Sequence, residues 1–260
     1  MAEWVGLNNL LDNPDLTFVS FIAFFIIAAL GVRFGAYAYW NGKATKMDAQ
    51  IPLWGYLMLI GLCSALFGLF GILAISLLVG QDALLSLADG MMLGLVLCLA
   101  LAMRSVYANA AFDSQRNVSA NVGGGRPVVV AFGVLVLVST GGLVIFPPTA
   151  TATADLLIPE RIVALVHGLA GVVFLAYGYL FGRGQLSKIQ VQGTLLDTLL
   201  RHILPVLLFA SLVPILELAW VVGLDLTIVM YVQVIFVVMT ATTLMTATIK
   251  LRQNLSGIRG

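Results

Sequence analysis

Residues 51–79, IPLWGYLMLIGLCSALFGLFGILAISLLV, form one continuous run without a charged side chain. A helix crosses the hydrocarbon core of a bilayer with about 20 consecutive apolar residues, and this run exceeds that length. Comparable runs lie near 17–39, 83–104, 127–147, 161–182, 199–222 and 226–249. Backbone amides find no water in lipid, so only helices or closed barrels can cross it. These runs are continuous rather than alternating, which excludes a barrel. The expected fold is therefore all-α: a seven-transmembrane-helix bundle forming one integral domain over residues 1–260. The second span is long enough to tilt or project beyond the bilayer. The fourth is the shortest and is closed by Pro147 and Pro148.

Composition supports the same class, since 61% of the 260 residues are apolar and 10% are charged, against about 25% charged in soluble domains. A net charge of +1 gives no reason to expect nucleic acid as a partner. The first fifteen residues, MAEWVGLNNLLDNPD, lack the basic region and small-residue cleavage site of a signal peptide.

The basic residues set a direction. Arg33, Lys43, Lys46, Arg104, Arg116, Arg126, Arg183, Lys188, Arg201, Lys250, Arg252 and Arg259 fall on one side of the expected bundle, and Arg161 alone falls on the other. The positive-inside rule then places the N-terminus outside and the C-terminus in the cytoplasm. Direction converts position into depth, at about 1.5 Å per helical residue. Asp89 lies six residues into span three from the outer face, roughly 9–10 Å down. His167 lies six residues into span five, Glu217 about five before the outer end of span six, and Gln233 seven into span seven.

Four strongly polar side chains from four helices thus share one depth. An unpaired acid inside a membrane costs about 2.5–3.5 kcal/mol even on the more forgiving insertion scale. Convergence would offset that cost, with His167 donating to a carboxylate and Gln233 bridging. Such a cluster suits binding of a proton, cation or small ligand, although buried polar groups also simply tie helices together.

Other chemistry has little to build on. Two histidines do not make a multi-histidine zinc site or a multi-haem carrier, and no metal site is expected. There is no GxSxG nucleophile motif, so no enzyme is expected. Cys63 and Cys98 lack a redox or metal spacing and read as small core residues. The glycines of AFDSQRNVSANVGGGRP lack the Lys-Ser/Thr of a phosphate loop and read as a linker. Gly61, Gly68 and Gly71 favour close helix approach. Pro205 and Pro214 make span six a candidate moving element. Trp4, Trp40, Trp54 and Trp220 fall at expected interfaces, as in an aromatic belt.

Three segments carry a resemblance. LADGMMLGLVLCLALAM, RIVALVHGLAGVVFLAYGYLFGRG and LLRHILPVLLFASLVPILELAWVVG are similar to the third, fifth and sixth helices of microbial rhodopsins. The resemblance implies a counter-ion role for Asp89 and matches Pro214 to a characteristic proline. It departs in the last helix, IVMYVQVIFVVMTATTLMTATIKLR, where the position of the retinal-linking lysine holds Thr243 and that of the acid one turn earlier holds Met239. Ser86 and Ala100 stand where the family has an arginine and a proton donor. A covalent retinal cofactor is therefore not expected.

The resulting expectation is a non-enzymatic, opsin-like, multi-pass protein of the cell membrane. Asp89, His167, Glu217 and Gln233 are its candidate ligand- or ion-binding residues, in a sensor or accessory role. The competing expectation is an integral helical subunit of a larger membrane complex. Expected partners are membrane lipids and a second copy or a membrane-complex partner.

Overall fold

The computed structural model describes residues 10–44, 51–77, 80–112, 125–145, 157–186 and 195–259. Its helices are α1 (Pro14–Ala44), α2 (Ile51–Ser76), α3 (Gln81–Phe112), α4 (Arg126–Ile145), α5 (Leu157–Leu186), α6 (Leu195–Ile215), the short α7 (Glu217–Val221) and α8 (Leu226–Arg259). Seven spans among them are long and apolar enough to cross a membrane, with α6 and α7 together forming the sixth. All seven apolar runs are thus helical. Trp4, Pro147, Pro148, residues 1–9 of the N-terminal segment and residues 113–124 of the glycine linker lie outside the described residues.

The helices form a ring. Each packs on its neighbour in sequence, α8 closes the ring against α1, and α3 also touches α5 and α6. Half of the apolar window of α3 is buried, against 22% for α4. Outward faces are apolar, as Phe18, Leu137 and Leu180 illustrate at 65%, 73% and 70% exposure. Such a surface suits lipid and would be an aggregation hazard in water.

The α1–α2 seam depends on small residues. The buried face of α1 runs through Leu16, Ser20, Ala23, Ile27, Gly31, Phe34, Ala38 and Asn41, at helical spacing. A Cβ on Gly61 would stand 2.5 Å from Gly35 Cα, and one on Gly68 would stand 2.3 Å from Phe24 O. The two backbones are therefore in direct contact, which is how helices gain packing energy where lipid supplies no hydrophobic drive.

Polar ties join α1 to α8 near both ends. Tyr231 donates to Asn13 Oδ1 at 3.2 Å. At the other end Asn41 Nδ2 donates to Leu251 O at 3.0 Å, and Asn254 Nδ2 donates to Asn41 Oδ1 at 2.7 Å. Helix starts follow local chemistry as well. Asn13 Oδ1 accepts from Leu16 N–H ahead of Pro14, and Asp225 Oδ1 accepts from Thr227 and Ile228 N–H at the start of α8.

We call the end holding Asp12, Asp15, Asp82 and Asp225 the acidic end, and the end holding Lys43, Arg104, Arg126, Arg183 and Lys250 the basic end. The aromatic belt is modified in two places. Trp54 is buried, at 4% exposure, with its Cβ and Cγ 3.1 and 3.4 Å from where a Gly42 Cβ would lie. Trp220 turns inward to the cavity described next.

Candidate functional site

The α6–α7 region builds one wall of this site. The helix continues through Pro205 and is interrupted between Ile215 and Glu217. Pro214, lacking an N–H, leaves Ala210 O without its intrahelical donor in the turn before that break. Leu216 N–H still reaches Leu212 O at 3.1 Å, whereas Ala219 N–H closes a tighter turn onto Leu216 O at 3.0 Å. Val213 O, the carbonyl four residues before Glu217, accepts from Gln233 Nε2 at 3.0 Å. Gly168 and Gly171 of α5 make room for this segment. A Cβ on Gly168 would lie 2.4 Å from Leu218 Cγ and 3.2 Å from Pro214 O.

The interruption turns Glu217 and Trp220 into the bundle. A cavity of about 140 Å³ opens there, lined by Asp89, His167, Glu217 and Gln233 among apolar residues of α1, α2, α3, α5, α6, α7 and α8. All four sequence-derived candidates therefore line one space. Phe24, Phe67 and Trp220 supply aromatic walls. Phe24 and Phe67 meet edge to face at 5.3 Å. Arg161 lies over the Trp220 ring, 6.0 Å from its centroid. Among the described residues, no lysine or arginine is in the cavity lining.

Pairing inside the cluster differs from the expectation that His167 donates to a carboxylate and Gln233 bridges. The amide of Gln233 is committed to Val213 O. His167 is 2% exposed, with Nε2 3.1 Å from Ser139 Oγ and Nδ1 3.8 Å from Glu217 Oε2. The second distance is too long for a hydrogen bond. Ser139 Oγ also lies 3.1 Å from Val136 O. A hydroxyl has one proton, so when it donates to that carbonyl it accepts from His167 Nε2–H. Neutral His167 then presents a bare Nδ1 to a carboxylate oxygen. Two acceptors facing each other leave room for a proton or an N–H donor between them.

Asp89 and Glu217 are within electrostatic reach of each other, and no hydrogen bond reaches the Asp89 carboxyl among the described residues. Two acids thus share a cavity whose lining, among the described residues, contains no fixed cation. Among the described residues, no group of three or more His, Cys, Asp or Glu side chains is arranged to hold a metal ion.

Ser139 and Ser20 escaped the depth argument although the same ruler reaches them. Ser139 lies six residues before the end of α4, and Ser20 six after the start of α1. Restricting attention to charged and amide side chains hid two hydroxyls of the same layer. Apart from Asp89, the positions matched to rhodopsin chemistry lie elsewhere. Thr243 donates to Met239 O at 2.9 Å, Met239 is 37% exposed, and neither lines the cavity. Ser86 donates back to Asp82 O, and Ala100 is buried against Gly178. Comparison with family models, curated proteins and solved structures finds no match to this chain.

Proposed function

We propose that this chain is a non-enzymatic, opsin-like, multi-pass protein of the cell membrane, without covalent retinal, that binds a small cation in the cavity between Asp89 and Glu217. With its N-terminus outside, as the basic residues favour, the cavity faces the exterior and the protein serves as a sensor or accessory component. The observation that carries this reading is the meeting of two carboxyls in one cavity with no lysine or arginine among the described residues of its lining. Buried charge is retained where it is paired, and here the partner is supplied by the ligand.

Size and lining narrow the ligand class. A cavity of about 140 Å³ is close to the roughly 150 Å³ that accommodates benzene in an engineered apolar cavity. Aromatic and aliphatic walls around two acids suit a protonated amine on a compact apolar body, with Trp220 available for a cation–π contact. Protons compete for the same carboxyl oxygens, so affinity falls as pH is lowered.

The test is calorimetric titration of the purified full chain with benzylammonium and with benzyl alcohol, its uncharged analogue. Benzylammonium is expected to bind, and Asp89→Asn and Glu217→Gln each to weaken it at least about tenfold. Equal affinity for the alcohol, or unchanged binding in both variants, would sink the proposal. A second reading, an integral subunit of a larger complex, is favoured by the broad exposed apolar face of α4, where Leu137 and Val138 are 73% and 65% exposed. Failure of benzylammonium binding together with a co-purifying partner protein would support it.

A further inference from the structure

At the basic end, remote from the acidic cavity, a second group of polar atoms is buried without partners among the described residues. Tyr177 of α5 is 6% exposed, and among the described residues its hydroxyl has no hydrogen-bond partner. The same holds for Arg104 Nε of α3. An unsatisfied buried donor costs about 1–3 kcal/mol, and two in one place call for an explanation.

Their surroundings point to negative charge. The Tyr177 ring packs beneath the start of α4, since a Cβ on Gly125 would lie 3.3 Å from its Cε2 and 3.4 Å from its Cδ2. Gly125 has φ of +84°, so a glycine both permits that backbone turn and lets the ring slide under it. Directly after it begins a helix of 20 residues. Helix geometry leaves the N–H groups of Arg126 and Val128 without an intrahelical acceptor, and Pro127 has none to offer. Arg126 stands exposed beside these groups. Arg104 and Arg126 are both within electrostatic reach of the Tyr177 hydroxyl. Phe181 meets the Tyr177 ring edge to face at 4.8 Å and Tyr107 at 5.2 Å, which braces the phenol from behind.

We infer that Tyr177, Arg104, Arg126 and the first turn of α4 form a binding site for a phosphate group. Two arginines supply charge, the phenol supplies a neutral donor, and the start of α4 supplies backbone N–H groups, the donor set that helix N-termini use for phosphate. The site lies between three spans at the basic end of the bundle, where anionic headgroups collect beside arginines. A lipid headgroup and a soluble phosphate ester share this chemistry.

Native mass spectrometry of the detergent-solubilised full chain, titrated separately with phosphatidylglycerol, phosphatidylcholine and inorganic phosphate, distinguishes the sources. Phosphatidylglycerol is expected to bind more tightly than phosphatidylcholine. Arg104→Gln and Arg126→Gln should each weaken it about fivefold. Tyr177→Phe, which keeps the ring packing, should weaken it about tenfold. Inorganic phosphate bound with the same residue dependence would identify a soluble phosphate as the source and support the site. Binding of neither anionic probe, or equal binding by wild type and all three variants, would overturn it. Tyr177→Phe guards against misreading a folding defect, since it deletes one oxygen from a packed ring.

Discussion

Asn41 is fully buried and joins two helices that are more than two hundred residues apart in sequence. Its amide donates to Tyr37 O at 2.8 Å and Leu251 O at 3.0 Å while its carbonyl accepts from Asn254. Asn41→Ala is expected to destabilise the bundle by about 0.6–1.7 kcal/mol, the range for hydrogen bonds between membrane helices. Unfolding by a denaturing detergent measures this, and benzylammonium affinity should stay unchanged because the tie lies at the opposite end from the cavity. Nothing in the sequence marks this residue, since asparagine near the end of an apolar run ordinarily faces water or headgroups. Asp89 and Glu217 were legible for the opposite reason: a carboxylate well inside such a run has no inexpensive alternative to a partner. Cys63 and Cys98 show a third case. Each read as a small core residue, and Cys63 Sγ lies 3.4 Å from where a Cβ on Gly94 of α3 would stand, a proximity across the α2–α3 seam that only helix register creates.

At the level of elements, the α1–α2 seam gives the sharpest expectation. Gly61→Val forces new atoms into Gly35 Cα and N, which a Cβ would approach to 2.5 Å. Backbone cannot move aside as a side chain can, so a cost of about 1–3 kcal/mol or more is expected. Gly55→Ala is the matched control, because a Cβ there meets nothing within 4 Å. Its effect should stay within about 0.5 kcal/mol. A thermal unfolding series on both variants checks the contrast. The glycine pattern announced close approach but not the partner: α2 could have set Gly61, Gly68 and Gly71 against any neighbour. Span six behaves similarly. Its two prolines promised a departure from a straight helix, and packing decided that Pro205 is absorbed while the break falls after Pro214. In α8 the buried stripe through Val237, Thr240, Ala241, Leu244, Ala247 and Leu251 leaves Met239 and Thr243 off the cavity lining, although their place in the sequence matches positions that line the retinal pocket in the resembling family.

For the molecule as a whole, orientation is the expectation that the charge asymmetry carries. In a variant without Cys63 and Cys98, Val222→Cys at the acidic end is expected to react with a membrane-impermeant maleimide on intact cells. Ser256→Cys at the basic end should react only after permeabilisation, and the reverse pattern would invert the topology. Seven helical spans and the common depth of Asp89, His167, Glu217 and Gln233 follow from the sequence, because each depends on local hydropathy and on a fixed rise per residue, whereas α1, α3 and α8 run past their expected ends to 31, 32 and 34 residues. Which helix faces which does not follow, because lipid and protein interior are equally apolar and a greasy side chain carries no address. Rotation of each helix about its own axis was decided by tertiary contact: glycine against backbone, Gln233 against Val213, His167 against Ser139. Those contacts brought the two acids into one cavity and left the Tyr177 hydroxyl and Arg104 Nε unpaired among the described residues.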